Sequence, residues 1–261
     1  MIVNGYDSKA GAIRALKAAG FHVSGLLSQP ESNPKVAKNG KIGVLTAPLH
    51  LAPAKESGYE VCPMRSEGCT TACLHTAGNP AYMEQKRKSR IAKTRAYMRF
   101  RRAFMAVLVF EIAALARKAH KQGLQTGIRL NATSDIAWES VAVEIDGHKF
   151  RNVMNAFPHV EFYDYTKVTK RAINWANGKL PPNYHLTFSK HESNMWAVHK
   201  VLKAGGNASI VFRGKPPKTY EGFEVIDGDQ HDFRPADPVG VVVGLKAKGD
   251  AIYDESGFVV R

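Results

Sequence analysis

Beyond residue 123 the chain breaks into short apolar runs separated by segments whose apolar positions recur at helical spacing. The runs at 127–131, 160–164, 184–189, 208–212 and 240–245 are rich in β-branched and aromatic residues and read as strands. Residues 168–175 and 192–203 read as helices, the second stopped by Gly205-Gly206. An earlier run at 41–46 supplies a first strand, which 49–53 extends. Strands alternating with helices imply right-handed βαβ units and a parallel sheet of about six strands. The expected fold class is α/β, a partial or complete βα barrel, with a doubly wound open sheet as the alternative. Residues 1–40 read as a lead-in, a helix capped by Asp7 or Ser8 and stopped by Gly20, then a loop over 28–41. Residues 41–261 make the main domain.

One stretch departs from this rhythm. Asn79-Pro80 is a helix-start signal and Gly123 a stop, and no proline or glycine interrupts the roughly forty residues between them. The first half carries Lys86, Arg87, Lys88, Arg90, Lys93, Arg95, Arg99, Arg101 and Arg102; the second is apolar nearly all round, which predicts burial. One bent helix and two helices joined near Arg102 both fit.

Composition narrows the class. Apolar residues make up 44% and charged residues 23%, enough for a core and unlike a disordered chain. The net charge of +14 favours phosphate-bearing partners, so nucleic acid or a nucleotide is the expected partner of Lys86–Arg102, where Tyr97, Phe100 and Phe104 are interleaved. A solvated helix face is the plainer alternative. The most apolar stretch, 103–116, is interrupted by Glu111 and too short to span a bilayer, and the N-terminus lacks the pattern of a secretory signal. A cytoplasmic protein in reducing surroundings follows as the expectation.

In βα folds chemistry collects at the carboxyl ends of strands. Those ends here offer Arg129, Asn131 and Asp135, then Asp164 and Lys167, then Ser189 and Glu192, then Asp227 and Asp229. With Lys93 and Arg95 from the basic helix they form the candidate cofactor or substrate pocket. Each has a plainer reading: Ser134-Asp135 and 189–192 can cap the next helix, and Asp227-Gly228-Asp229 can be a simple turn. No general acid or base can be assigned.

The only three cysteines, Cys62, Cys69 and Cys73, lie between the first strand and the basic helix. Thiolates gathered so closely in a reducing compartment point to a metal or an iron–sulfur cluster, and an odd number argues against a disulfide framework. Structural zinc needs a fourth ligand, for which His75 is the candidate. Three core cysteines without metal are a further reading. A 4Fe-4S cluster with three cysteinyl irons and one open iron fits better, because Gly68, Gly78, Thr70, Thr71 and Ala72 suit a loop wrapped closely around it. Lys93 or Arg95 can offset its charge.

Three cysteines after the first strand of a βα barrel resemble the radical S-adenosylmethionine enzymes. That resemblance implies S-adenosylmethionine as a second cofactor at the open iron. The spacing here is C-x6-C-x3-C where that superfamily commonly has C-x3-C-x2-C, and Thr133-Ser134-Asp135 replaces its Gly-Gly-Glu. A second resemblance covers most of the chain. Cys62, Gly68-Cys69, Cys73-Leu74, Ala77-Gly78, Lys93-Thr94-Arg95, Arg129-Leu130-Asn131, Ser134-Asp135, residues 162–167, 183–189 and Val225-Ile226-Asp227-Gly228-Asp229 are similar to an uncharacterised bacteriophage family, the gene product eighty-eight domain. It implies a phage origin, hence the cytoplasm of an infected or lysogenic host, and a shared site without a stated activity. The expected function is therefore an iron–sulfur phage protein whose cluster is held by the three cysteines, a radical S-adenosylmethionine-like enzyme in its catalytic version; the alternative is a non-catalytic nucleic-acid-binding or redox-sensing protein with a structural cluster or zinc.

Overall fold

The computed structural model describes residues 1–30, 34–73 and 84–261. Its strands are β1 (Val44–Pro48), β2 (Gln125–Arg129), β3 (Val143–Ile145), β4 (His148–Phe150), β5 (Glu161–Thr166), β6 (Tyr184–Ser189), β7 (Asn207–Phe212), β8 (Thr219–Tyr220), β9 (Phe223–Asp227) and β10 (Val242–Lys246). β3 and β4 form a separate hairpin; the other eight form one sheet in the order β1-β2-β5-β6-β7-β10-β9-β8. Seven of these run parallel, and β8 lies antiparallel at the edge. Two expectations change. The count of six parallel strands was short because 223–227, which leads into a polar turn, pairs with β10 as a full strand. The sheet is open: among the described residues no pairing joins β1 to β8, so a complete barrel is not formed.

The helices are α1 (Lys9–Ala18), α2 (Pro34–Ala37), α3 (Glu67–Thr71), α4 (Glu84–Arg99), α5 (Arg101–Lys121), α6 (Val153–Ala156), α7 (Thr169–Ala176) and α8 (Met195–Lys203). From β1 to β7 the strands are laid down in a single direction, and α5, α7 and α8 in the connections pack on the sheet, as crossovers of one hand require. Leu45, Ala47, Ile128, Phe162, Tyr184 and Leu186 point into the core on the face that carries α5. α5 buries eleven of its residues, as its apolar sequence predicts. Its one acidic residue, Glu111, accepts hydrogen bonds from the Leu26 and Leu27 amides (3.0 and 2.7 Å) and pairs with Lys9 (2.6 Å). That ties the lead-in down: Val3, Ala12, Leu16, Phe21, Val23 and Leu26 belong to the same core. Ser8 caps α1 through the Gly11 amide (3.2 Å). The loop expected at 28–41 instead contains α2 and a 3₁₀ turn over Lys38–Ile42.

The long basic-then-apolar stretch resolves into two helices that break at Phe100, whose ring packs on Phe21 (5.5 Å between centroids). Its start signal, Asn79-Pro80, lies outside the described residues. No described helix is long and apolar enough to cross a membrane.

The opposite face of the sheet is covered at Val44 and Tyr163 by Phe233. Buried Asn39 anchors this cover, accepting from the Asp232 and Phe233 amides (2.8 and 3.1 Å) and donating to Thr46 Oγ1 (3.0 Å). Because seven strands are parallel, their carboxyl ends share one edge, where the cysteine loop emerges after β1.

Candidate cysteine site

Loop 49–73 is gripped from two sides. On one side β2 and α4 hold its first half. Leu49 N donates to Arg129 O (2.8 Å), Thr133 Oγ1 to Leu51 O (2.6 Å) and Asp135 N to Val61 O (2.8 Å). From α4, Thr94 Oγ1 accepts from Ala52 N (2.8 Å), Arg95 Nε donates to Ser57 O (2.9 Å) and Arg87 pairs with Glu56 (2.5 Å). On the other side the β6–α8 connection holds its second half. Ser66 caps α3, its Oγ accepting from Cys69 N (3.1 Å) and donating to Glu192 Oε2 (2.6 Å), while Glu192 Oε1 accepts from Gly68 N (2.9 Å). Gly68 is a glycine because segments meet there: a Cβ would collide with Ser256 Oγ and lie 2.9 Å from Glu192 Oε2 and 3.0 Å from Phe258 Cβ. The C-terminal segment thus packs on the loop, with Phe258, Val259, Ala247 and Ala251 clustered against Ala72 and Cys69. Lys190 Nζ fixes that segment by donating to Gly257 O (2.5 Å).

The three thiols are half-buried and form no disulfide. They line one cavity of about 420 Å³ together with Arg65, Thr70 and the 53–56 segment. That volume is in the range of small-ligand sites, about 300–1,000 Å³. Cys62 Sγ accepts a hydrogen bond from Ala54 N (3.5 Å). Ala54 itself is held at φ +50°, a left-handed conformation that costs a non-glycine residue about 1–2 kcal/mol. The loop therefore carries strain where its amide is aimed at a sulfur. Burial pushes the Cys62 thiol up to about 12; the Ala54 hydrogen bond opposes this, and the neighbouring Cys73, Asp135 and Cys69 add to it. Among the described residues no three His, Cys, Asp or Glu side chains gather as ligands around one ion position. His75 lies outside the described residues.

Arg90 completes the site, and it was not singled out from the sequence. It is 8% exposed, and Cys73 and Glu56 both act electrostatically on its guanidinium. Glu56 is already paired with Arg87. Burial outweighs both Cys73 and Glu56 and lowers the Arg90 pKa. Burying a cation costs several kcal/mol, so a guanidinium on which burial outweighs the pull of Cys73 and Glu56 favours further negative charge beside Cys73. The signal in the sequence was positional: Arg90, Thr94 and Tyr97 form a buried stripe at helical spacing on an otherwise polar helix.

The expected pocket residues divide. Asp135, Lys167, Ser189 and Glu192 cluster beneath the cysteine loop: Asp135 accepts from Lys167 N (2.8 Å) and pairs with Arg171 (2.5 Å), and Lys167 Nζ donates to Ser189 Oγ (2.7 Å). None of them lines the cysteine cavity. Neither plain capping reading holds: Glu192 bonds the loop and α8 has no side-chain cap, and the 3₁₀ turn at Trp138–Ser140 that follows Ser134-Asp135 has none either. Arg129, Asn131 and Asp164 are buried structural groups. Arg129 Nη1 donates to both oxygens of Asp232 (3.0 Å each) and its guanidinium stacks on Tyr165 (4.8 Å). Burial raises the Asp232 carboxyl, but Arg129, Lys35 and Arg234 outweigh it and hold the pKa at about 2. Asp164 accepts from Asn131 N (2.5 Å) and Tyr184 Oη (2.9 Å), yet burial lifts it to about 7. Asp227 and Asp229 sit at the far side of the sheet in a turn, Asp227 accepting from Asp229 N (2.9 Å) and Asp229 pairing with Lys248 (2.7 Å).

The basic helix does not present one charged face. Lys93 Nζ donates to Leu26 O (2.9 Å) and Arg95 to Ser57 O, so neither faces the thiols as expected. Lys88 pairs with Glu84 (2.9 Å). Tyr97 and Phe104 are buried and leave no face for base stacking, the first between Phe104 and Trp138. Among known proteins, a family model described as Gene product 88 matches residues 25–261. No curated protein matches the chain, and no solved structure does.

Proposed function

This chain belongs to the Gene product 88 family, and we propose that its cysteine site holds an iron–sulfur cluster of the 4Fe-4S type, ligated by Cys62, Cys69 and Cys73. The observation that carries this reading is the pairing of three thiols around one cavity with a buried Arg90 guanidinium within electrostatic reach of Cys73. Three thiolates give the cluster a net negative charge, which Arg90 offsets. The Ala54 amide supplies the kind of N–H···S contact that tunes such centres. The cavity is far roomier than one ion needs, which favours a cluster over zinc.

Bound there, a cluster supplies one-electron redox chemistry and an iron open to a ligand. Lys55, Glu56 and Arg65 are the charged side chains of the cavity wall and would be available to such a ligand. On this reading the strands wound in one direction from β1 to β7 are a partial barrel, and the protein is a radical S-adenosylmethionine type of enzyme acting in the cytoplasm of a phage-infected host. A nucleic-acid reading rests on exposed Arg99, Arg101 and Arg102 beside half-exposed Phe100 at the α4–α5 junction; salt-dependent DNA or RNA binding lost on their removal would favour it.

The test is the metal content and spectrum of oxygen-protected protein. About four iron per chain, matched sulfide and broad visible absorbance are expected. Colourless protein with one zinc overturns the cluster. Reductive cleavage of S-adenosylmethionine by the reduced protein decides the enzyme version separately, and neither binding nor cleavage removes that version alone.

A further inference from the structure

Glu192 sits on the β6–α8 connection, 119 positions or more along the chain from every cysteine (192 − 73), yet it makes two of the contacts that shape the loop. Its Oε1 accepts from the Gly68 amide (2.9 Å) and its Oε2 from the Ser66 hydroxyl (2.6 Å). Ser66 Oγ in turn accepts from the Cys69 amide (3.1 Å). One carboxylate therefore sets the N–H of the residue before Cys69 directly and that of Cys69 through one hydroxyl. Space is as restricted as the hydrogen bonding, because Gly68 is packed between Glu192 and the C-terminal residues Ser256 and Phe258. Ser66 and Gly68 also hold the carboxylate in its ionised form: burial alone would raise its pKa, and these hydrogen bonds with that from its own amide bring it below the usual range.

We infer that Glu192 is a positioning residue for the cysteine site, a charged hook that fixes Cys69 relative to Cys62. The two cysteines hang from different parts of the rim. Cys62 follows Val61, which is bonded to the β2 loop at Asp135, and Cys69 belongs to α3, which is bonded to the β6 loop at Glu192. Without the hook the Ser66 cap on Cys69 N loosens, and with it the fixed distance between the two thiols. Glu192 does not line the cavity and touches no occupant of it. Its influence passes through Ser66 and Gly68.

The inference rests on the proposed cluster only for one of its two readouts. In the metal-free protein, hydrogen exchange of the Gly68 and Cys69 amides should quicken roughly tenfold or more in Glu192→Ala. Glu192→Gln, which keeps one acceptor, should fall between. Ser66→Ala and the Glu192→Ala/Ser66→Ala pair should match each other at Cys69, since both break the same chain of bonds. In protein reconstituted anaerobically with iron and sulfide, Glu192→Ala should lower cluster content and, after one-electron reduction with dithionite, broaden the electron paramagnetic resonance signal of what remains, with Glu192→Gln partly restoring both. Far-ultraviolet circular dichroism and the melting curve report whether each variant folds. Exchange at Gly68 and Cys69 unchanged in a folded Glu192→Ala overturns the inference, as do additive effects of Glu192 and Ser66 on Cys69. A wild-type protein that takes up no cluster overturns the proposed function instead, and leaves the exchange readout standing.

Discussion

Replacing Arg90 by methionine separates two effects of opposite sign. Arg90 is 8% exposed, and burial outweighs the pull of Cys73 and Glu56 on its guanidinium. In the metal-free protein its guanidinium is only partly compensated, whereas methionine keeps most of the stem's packing without the charge. Arg90→Met should therefore stabilise the apoprotein by about 1–2 kcal/mol, since removing a buried charge in favour of an apolar side chain gains about 1–4 kcal/mol where the charge is poorly served. For a chain of this size that is a rise in Tm of about 2–8 °C. In the loaded protein the sign reverses. Unit charges about 8 Å apart interact by about 2 kcal/mol at an effective dielectric of about 20. Losing the cation makes electron uptake by an anionic cluster harder, so the one-electron potential should fall by up to about 90 mV. Arg90→Lys keeps the charge and should leave both quantities near their wild-type values. Melting of the apoprotein and a potentiometric titration of the reconstituted protein measure the two arms. An apoprotein destabilised by more than about 1 kcal/mol would show that Arg90 is paid for within the fold itself. An unchanged potential would show that nothing anionic binds beside Cys73.

Gly68→Ala drives a methyl group into Ser256 and Phe258, an overpacking cost of about 1–3 kcal/mol; a lower Tm and weaker thiolate-to-metal absorbance with Co2+ should follow, and wild-type absorbance would mean the loop docks elsewhere. Phe258→Ala removes the largest side chain of the cluster that holds Cys69 and Ala72, at a cost of about 3 kcal/mol read by urea unfolding; a loss under about 1 kcal/mol would detach the C-terminal segment from the site's stability. Burial, with Arg234 adding to it, lowers His185 to about 3 in the fold against 6.5 when unfolded. A depressed pKa gives stability that is whole above pH 6.5 and lost as pH falls toward 3, so His185 accounts for a loss of about 2 kcal/mol between pH 6.5 and 5. His185→Phe should lose that much less over the same interval in urea titrations, and an equal loss would mean the ring is already charged in the fold.

The helices and strands were readable where a segment's own sequence decides its state. β6 spans Tyr184–Ser189 as its apolar run does, and Ser8 caps α1 as its position predicts. Legibility failed where a partner far along the chain decides. Nothing around 223–227 shows that β10 will be inserted beside it, and the sheet order follows from that pairing. The same holds at the rim. Arg129 and Asp164 lie at strand ends, as a pocket residue should, but Asp232 and Asn131 had already claimed them. Their ionisable groups were visible in the sequence; their partners, 103 and 33 residues away, were not. Arg90 is the converse case, one of nine basic residues in its run and set apart only by which side of α4 turns inward.

The cysteine spacing acquires a physical reason from these anchors. A C-x3-C pair spans one helical turn, about 5–6 Å between side-chain roots. Cys62 and Cys69 must reach further, because one is tied beside the β2 loop and the other beside the β6 loop, with β5 between. Two strand spacings come to about 10 Å. Three intervening residues in a helical turn cannot cover that, and six can, with slack for the turn in which Arg65 N donates to Cys62 O (3.0 Å) and for the first residues of α3. Cys69 and Cys73 sit on the same anchored piece, and there the ordinary short spacing survives. The departure from the spacing of the radical enzymes therefore sits in the segment that crosses the rim, between two docking points made by Asp135 and Glu192. A wide spacing of this origin leaves three thiols around one cavity, so it bears on how the loop is hung and not on how many sulfurs the site can offer.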